Sequence, residues 1–255
     1  MSSLDFDPEQ DLPELPPGAF GKADTGSDLL FYGTPRLVTH IDDGAVAAVT
    51  ALYREVLPPG GAILDLMSSW VSHLPPEVSY GSVRATGMNA AELEANPRLT
   101  SFRVQDLNRE PVLGLEDASV DACTICVSVQ YLERPVAVLR EVARVLRPGG
   151  PVAVTFSNRC FPTKAVAIWS ALDGPGQCRL VALYMERAGF ERIEQRTLAP
   201  PGRRADPLWA VIGRAPAGRA RPPCGTGLAP GPATPHMEER GGVAVSLEVH
   251  RDEQA

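Results

Sequence analysis

Short apolar runs alternate with helical hydrophobic patterns through the middle of the chain. Five runs predict buried strands, and in chain order they are residues 62–66 (AILDL), 83–89 (VRATGMN), 101–106 (SFRVQD), 119–129 (SVDACTICVSV) and 151–158 (PVAVTFSN). Two further runs, residues 191–198 (ERIEQRTL) and 208–215 (LWAVIGRA), predict two final strands. The near-continuous apolar character of the central runs is typical of strands that are covered on both faces.

Helical spacing separates these runs. The apolar residues between Val46 and Val56 recur at helical intervals and stop at Pro58, and residues 135–146 (PVAVLREVARVL) place their apolar side chains on one face. A third helix is predicted over residues 178–189, ending on Gly189. The alternation predicts an α/β domain with a mostly parallel sheet and helices on both faces, in which ligands bind at the carboxyl ends of the strands.

Composition divides the chain into three parts. Residues 1–27 are rich in Pro, Asp, Glu and Gly and predict a disordered acidic arm, and residues 215–255 predict a Pro- and Gly-rich disordered tail. The folded domain is therefore expected over residues 28–214. Within the tail, apolar and polar residues alternate over 243–250, a pattern that could form an edge strand, although an unattached tail is the simpler interpretation.

Charge and cysteine content argue against several classes of partner and site. The formal net charge of -7 disfavours nucleic acid as a partner, and the chain lacks both an apolar run of membrane-spanning length and a basic leader. These features predict a cytoplasmic protein without a membrane partner. Cys123 and Cys126 form a C-x-x-C inside an apolar run, without a second pair or nearby histidines, so we expect reduced core residues and no metal site.

The residues that follow the predicted strands carry a resemblance to a known family. These strand ends read DLMSSW (65–70), GMN (87–89), QDL (105–107) and VSVQY (127–131), and LRPGG (146–150) follows the amphipathic helix. In this order the motifs resemble class I S-adenosylmethionine-dependent methyltransferases of the type 11 subgroup, over roughly residues 62–214. The resemblance implies a Rossmann-like sheet of seven strands with the last one antiparallel.

The resemblance also implies a cofactor, S-adenosylmethionine, and residues that contact it. Asp65 would lie near the charged amino-acid end of the cofactor, Ser68 and Ser69 near its carboxylate, and Asn89 at its ribose. Asp106 would accept a hydrogen bond from the adenine amino group, with the backbone amide of Leu107 beside it. Positions next to these residues complete the expected cofactor site: Met67, Met88 and Val127.

Two departures from the family pattern leave alternatives open. The loop after the first strand, MSSWVSH, contains no glycine, and an amide, Asn89, stands where the family commonly has an acid. The chain could therefore be a methyltransferase-like domain that binds a ligand without catalysis. A nicotinamide-dependent oxidoreductase would need G-x-G-x-x-G after the first strand, which is absent, and the Pro-rich segments lack a clear P-x-x-P array for a scaffold.

The residues expected to serve the methyl acceptor lie outside the cofactor motifs. His73 is a candidate base and Tyr131 a candidate orienting residue, because both follow strands at the expected ligand edge. The segment 31–42 is expected to lid the pocket through Tyr32, Arg36 and His40, with Trp70 beside it. Further candidates are Asp42, Gln130, Asn158, Arg159 and Lys164. Asp42 could instead cap the following helix, and the loop residues Asn158, Arg159 and Lys164 could instead be solvated. The expected partner is a small molecule of unspecified identity, and the sequence does not indicate an oligomeric state.

Overall fold

The computed structural model describes residues 11–202 and 205–217, and these residues form an α/β domain around one central sheet. The strands are β1 (Ala62–Leu66), β2 (Ser82–Gly87), β3 (Ser101–Val104), β4 (Ala122–Cys126), β5 (Pro151–Ser157), β6 (Glu191–Ala199) and β7 (Leu208–Arg214). The helices are α1 (Asp28–Phe31), α2 (Asp43–Val56), α3 (Ala90–Glu94), α4 (Pro135–Val145), α5 (Ala167–Ser170) and α6 (Gly174–Ala188). A single 3-10 turn, Val129–Tyr131, follows β4.

The sheet confirms the predicted fold class. Its strand order is β3-β2-β1-β4-β5-β7-β6, the first five strands are parallel, and β7 pairs antiparallel with both β5 and β6. Two buried apolar clusters cover the two faces of the sheet. The order reverses at β1 and β4, so the carboxyl ends of these two strands form the switch point where α/β sheets bind ligands.

Local sequence signals explain where the long helices begin and end. Helix α2 begins after Asp42, whose side chain accepts a hydrogen bond from the amide of Ala45 at 2.8 Å. Helix α4 starts with Pro135, where a missing amide proton costs nothing. Helix α6 ends on Gly189, whose φ of 88° is the left-handed conformation that favours glycine. Among the described residues, no helix combines the length and the apolar character that crossing a membrane requires.

The prediction of a disordered arm through residue 27 is wrong for residues 11–27. Leu12 and Phe20 are buried, and the Phe20 ring lies 6.0 Å from that of Tyr184 in α6. Lys22 forms an isolated bridge with Val166 and donates to the Asp28 carboxylate at 2.7 Å. A few well-placed apolar side chains and ion pairs anchor a segment whose average composition predicts disorder.

At the other end the domain continues just past its predicted boundary. Ala215 is buried, and its amide donates to the carbonyl of Gly150 at 2.9 Å. The alternating stretch 243–250 lies outside the described residues, as do residues 1–10 and 218–255.

Candidate functional site

A cavity of about 300 Å³ opens at the carboxyl ends of the parallel strands. The nine residues expected at the cofactor and the two main acceptor candidates, His73 and Tyr131, all line it; the nine are Asp65, Met67, Ser68, Ser69, Met88, Asn89, Asp106, Leu107 and Val127. Tyr32, Arg36 and His40 from the segment before α2 also line it, together with Trp70 and Arg159. The chain therefore brings strand ends and an N-terminal cover into one concave site, which is the usual form of a small-molecule site.

Asp65 is a buried carboxylate at the end of β1. Its oxygens accept hydrogen bonds from the hydroxyl of Ser68 at 2.6 Å and from the hydroxyl of Thr124 at 3.0 Å. Burial raises the pKa of Asp65, and the hydroxyl donors oppose that shift. No cationic side chain of the described residues lies within ion-pair distance of it, so a positively charged ligand group would be its natural partner.

Three cavity residues have a left-handed backbone without being glycine. The φ angles are 55° at Met67, 52° at His73 and 51° at Val127. Each follows or lies in the loop after a central strand, and Val127 is a β-branched residue for which this conformation is especially unfavourable. Such backbone strain costs about 1–3 kcal/mol per residue and is concentrated at functional sites in known structures.

The close backbone approach that a loop glycine usually permits is provided here from the neighbouring strand. The amide of Ser68 donates to the carbonyl of Thr86 at 2.7 Å, which draws the loop after β1 against β2. A Cβ atom on Gly87 would clash with the carbonyl oxygen of Ser68. Gly87 therefore allows the loop after β1 to lie directly against β2.

Asn89 uses its side chain to hold the N-terminal segment. Its amide nitrogen donates to the carbonyls of Tyr32 and Gly33 at 2.9 and 3.0 Å, and its oxygen accepts from the amide of Glu92 at 3.1 Å, capping α3. Both donor protons of the amide group are thus engaged. An aspartate could form the cap but could not donate to the two carbonyls.

Asp106 follows β3 in a turn. One oxygen accepts from the amide of Asn108 at 3.0 Å, and its other oxygen lies 3.9 Å from the exposed Arg109 guanidinium. The Asn108 side chain in turn donates to the carbonyl of Tyr131 at 3.0 Å, linking the ends of β3 and β4. The turn orients Asp106 in the cavity wall while leaving acceptor capacity at the carboxylate.

Aromatic side chains form the opposite wall. The rings of Tyr131 and Phe161 lie 6.1 Å apart, and those of Tyr32 and His40 lie 6.2 and 5.5 Å from Phe161. The Tyr131 hydroxyl accepts a hydrogen bond from the amide of Phe161 at 2.9 Å, and burial raises the pKa of Tyr131 to about 12. This phenol remains protonated near neutral pH and can donate to a ligand.

Two histidines face the cavity from different sides. Burial lowers the pKa of His73, and burial is also the largest cause of the lowered pKa of His40. Both imidazoles are therefore neutral near pH 7, the state in which an imidazole can accept a proton.

Some candidates are not brought to the cavity. Asp42 caps α2 and exchanges backbone-to-carboxylate hydrogen bonds with Asp206, while Gln130 is buried and donates to the carbonyl of Val127 at 2.9 Å. Lys164 is buried in an ion-pair network with Asp24 and Asp28. Asn158 is also absent from the lining.

Among the lining residues that were not sequence candidates, Glu92 and Phe161 make contacts that shape the cavity. Glu92 accepts from the Ser69 hydroxyl at 2.6 Å and from the amide of Arg36 at 2.7 Å, and so links the loop after β1 to the N-terminal segment. Its position three residues after a helix-capping Asn is the signal that could have indicated it. Phe161 lies four residues after the end of β5. The only signal for it in the sequence is that ligands of α/β sheets bind near the carboxyl ends of the strands.

Comparison with known proteins agrees with this architecture. Residues 70–154 match a family model described as a methyltransferase domain. The matched segment includes β2 to β4, α4 and most of the loop that follows β1. It contains the expected residues from Trp70 to Tyr131, whereas Asp65, Met67, Ser68 and Ser69 precede it.

Solved structures share the fold at low sequence identity. A chain from the complex between the Haloferax volcanii Trm112 methyltransferase activator and a methyltransferase is 17% identical, with a TM-score of 0.53 over 68% of this chain and 91% of its own. The [4+2]-cyclase SpnF is 16% identical, with a TM-score of 0.55 over 74% of this chain and 93% of its own. The second likeness shows that this fold accommodates more than one chemistry.

Proposed function

We propose that this chain is a class I S-adenosylmethionine-dependent methyltransferase and transfers a methyl group to a small-molecule acceptor. The methyltransferase-domain match over residues 70–154 and the fold support the family. The observation that carries the proposal is the convergence of all eleven expected residues on one cavity at the switch point of the sheet. The cofactor supplies a methyl group already activated by its sulfonium, so the chain's task is mainly to hold and orient the reactants.

The donor set at the end of β1 fits the cofactor's amino-acid end. Asp65 is a buried carboxylate without a cationic partner among the described residues, and an ammonium group would supply the missing charge. The hydroxyl of Ser68 donates to Asp65 at 2.6 Å, and Ser69, whose hydroxyl donates to Glu92 at 2.6 Å, lines the same cavity. Asp106 would take the adenine amino group, with the Leu107 amide next to it.

We assign the acceptor side to His73 and Tyr131. A neutral imidazole at His73 can remove a proton from a hydroxyl or nitrogen nucleophile, and the protonated phenol of Tyr131 can donate a hydrogen bond that orients it. If the acceptor needs no deprotonation, orientation alone suffices.

Calorimetric titration with S-adenosylhomocysteine tests the cofactor assignment. We expect a Kd of about 1 μM, or about -8 kcal/mol, and a loss of about tenfold or more in Asp106→Ala. Asp43→Ala is the matched control, because Asp43 is exposed on α2 and does not line the cavity. Equal affinities for the wild type and Asp106→Ala would contradict the adenine assignment, and absent binding would contradict the cofactor proposal.

A second candidate is a cofactor-binding domain without methyl transfer. The observation that favours it is the engagement of Asn89 with Tyr32 and Gly33, since a residue so committed offers less to a ribose. The two candidates separate by measuring S-adenosylhomocysteine release across a panel of hydroxyl, amine and thiol acceptors. Tight cofactor binding without release across that panel would favour the second candidate.

A further inference from the structure

The guanidinium of Arg36 is held in place but incompletely paired. Its Nη2 donates to the carbonyl of Phe31 at 3.0 Å, whereas its Nη1 is buried without a hydrogen-bond partner among the described residues. The guanidinium carbon lies 4.9 Å from the centre of the Phe31 ring and 5.4 Å from that of Phe161. The contacts with these two rings hold the guanidinium in position, while Nη1 has no hydrogen-bond partner among the described residues.

A second unpartnered donor lies on the same segment. The hydroxyl of Tyr32 is buried without a hydrogen-bond partner in the described part of the chain, and the Arg36 guanidinium carbon is 6.0 Å from the Tyr32 ring. Burial raises the pKa of Tyr32, so its hydroxyl keeps its proton and can only be satisfied by an acceptor atom or water. Two buried donors on one cavity wall, left without partners, indicate a ligand that supplies acceptor oxygens.

We propose that the methyl acceptor carries an anionic oxygen group, a carboxylate or a phosphate ester, which binds Arg36 Nη1 and the Tyr32 hydroxyl. This inference rests on the proposed function and specifies its substrate class. The body of the acceptor lies against the aromatic wall formed by Tyr131, Phe161 and His40.

The surrounding charges agree with an anionic acceptor. Two carboxylates line the cavity near Arg36. Asp28 is paired with Lys22 at 2.7 Å and with Lys164 at 3.0 Å, so its charge is offset. Glu92 accepts hydrogen bonds from the backbone amide of Arg36 at 2.7 Å and from the Ser69 hydroxyl at 2.6 Å, so its oxygens are engaged on the side of the loop after β1. The faces of Phe31 and Phe161 that could attract an ammonium group already hold the Arg36 guanidinium. A cationic acceptor would therefore meet a resident cation.

The position of Arg36 favours the acceptor over the cofactor's own carboxylate. Its guanidinium packs against Phe161, which follows β5, whereas the expected cofactor residues are concentrated at the ends of β1, β2 and β3. Asp106 and Asp65 belong to that other half of the cavity. Ser68 and Ser69 remain the expected neighbours of the cofactor's carboxylate.

Calorimetry with three aryl probes tests the inference, using the full chain with and without saturating S-adenosylhomocysteine. The probes are 4-hydroxybenzoate, 4-hydroxyphenyl phosphate and the neutral 4-hydroxybenzamide. We expect at least one anionic probe to bind about tenfold or more tightly than the amide. The preferred anion identifies the group as a carboxylate or a phosphate ester, and binding of all three probes with equal affinity, or of none, overturns the inference.

Variants locate the binding site of the anion. Arg36→Met and Tyr32→Phe should each weaken the preferred anion, by about tenfold and about threefold, and leave the amide unchanged. Arg98→Met is the matched control, because the Arg98 guanidinium also lies over a tyrosine ring, 5.7 Å from the centre of Tyr80, and donates to the carbonyl of Val78 at 2.7 Å, but Arg98 does not line the cavity. Unchanged anion affinity in both Arg36→Met and Tyr32→Phe overturns the inference.

Titration with S-adenosylhomocysteine and 5′-methylthioadenosine distinguishes failure of the inference from failure of the proposed function. If Arg36→Met weakens S-adenosylhomocysteine but not 5′-methylthioadenosine, which lacks the amino-acid part, Arg36 binds the cofactor's carboxylate and the inference fails while the proposed function stands. If the nucleosides do not bind and the anion still binds in an Arg36-dependent way, the proposed function fails and the anion site stands.

Discussion

The two halves of the cavity are built in different ways. The half at the ends of β1 to β3 consists of residues that directly follow strands, and its distinctive features are in the backbone: left-handed Met67 and the close approach at Gly87. The other half combines the N-terminal segment with the ends of β4 and β5, and it is held by side chains. Lys164 and Asp28 are 136 residues apart in sequence yet 3.0 Å apart in space.

This difference indicates how each half can change. Strand ends are positioned by the sheet, so the first half keeps its geometry as long as the sheet is intact. In the second half the sheet positions only the ends of β4 and β5, whereas the residues before α2 depend on a few long-range polar contacts. Loss of those contacts would leave the sheet unaffected. Asn89 belongs to both, because it caps α3 and also donates to Tyr32 and Gly33.

The largest expected effect on stability is that of replacing Lys164, whose ion pairs hold the second half of the cavity together. Lys164→Met leaves the carboxylate of Asp28 with a single lysine partner and Asp24 with none of its present ion pair, so we expect about 3 kcal/mol of destabilisation in urea unfolding at pH 7. The ammonium is buried, with only 1% of the side chain exposed, which is why the loss is large.

The matched control for Lys164 is Arg187→Met. Arg187 also ties the N-terminal segment to the domain, through Glu14 at 2.9 Å, but this pair is largely exposed and should contribute less than about 1 kcal/mol. Equal effects of the two substitutions would contradict the view that a buried ion-pair network anchors the segment.

The next largest effect on stability is expected at Asn89, whose side chain connects the two halves of the cavity. Asn89→Asp retains an acceptor for the Glu92 amide but removes both donations to the N-terminal segment and places a carboxylate near two carbonyl oxygens. We expect about 2 kcal/mol of destabilisation by chemical unfolding.

Asn158→Asp makes the same chemical change at an exposed position and should have little effect. An unchanged unfolding free energy in Asn89→Asp would show that the two donations to Tyr32 and Gly33 are not stabilising.

Sequence reasoning predicted the first half of the cavity better than the second, for a physical reason. Alternating or continuous apolar residues in a short stretch of sequence are enough to predict a strand. The parallel sheet then determines where the residues that follow each strand lie, as for Asp65 and Asp106. All seven strands were indicated in this way. Phe161 escaped because a single aromatic residue in a loop carries no periodic signal.

The order of residues 11–27 was not predicted, for a different reason. Their composition is acidic and Pro-rich, and the contacts that order residues 11–27 are made with partners far along the chain, such as Tyr184 and Val166. Lys164 looked like a solvated loop charge for the same reason. The left-handed backbone of Met67 and Val127 was likewise invisible, because neither residue type favours it.

A smaller effect on stability is expected at Met67, and it tests whether the backbone of the first half is strained. At most positions replacing Gly by Ala is stabilising, but at a φ of 55° the order should reverse, because only glycine adopts this conformation without steric cost. We expect Met67→Gly to be about 1 kcal/mol more stable than Met67→Ala in urea unfolding. The pair is its own control, since both substitutions remove the side chain beyond Cβ, and a more stable Met67→Ala would argue against strain in this loop.

The smallest expected effect concerns His73, at the boundary of the two halves, and it is a dependence on pH. Burial lowers the pKa of His73 in the folded chain below its ordinary value of 6.5, so the unfolded chain binds a proton more readily. The stability associated with the neutral imidazole is therefore complete above about pH 6.5 and declines as the pH falls from 6.5 towards the folded-state pKa.

His73→Asn removes this titration and suits the left-handed backbone, because Asn tolerates a φ of 52°. Between pH 7 and pH 5 we expect the unfolding free energy of the variant to fall by about 0.5 kcal/mol less than that of the wild type. His40→Asn reports the separate contribution of the other lowered pKa, and identical pH profiles for His73→Asn and the wild type would contradict a buried, neutral His73.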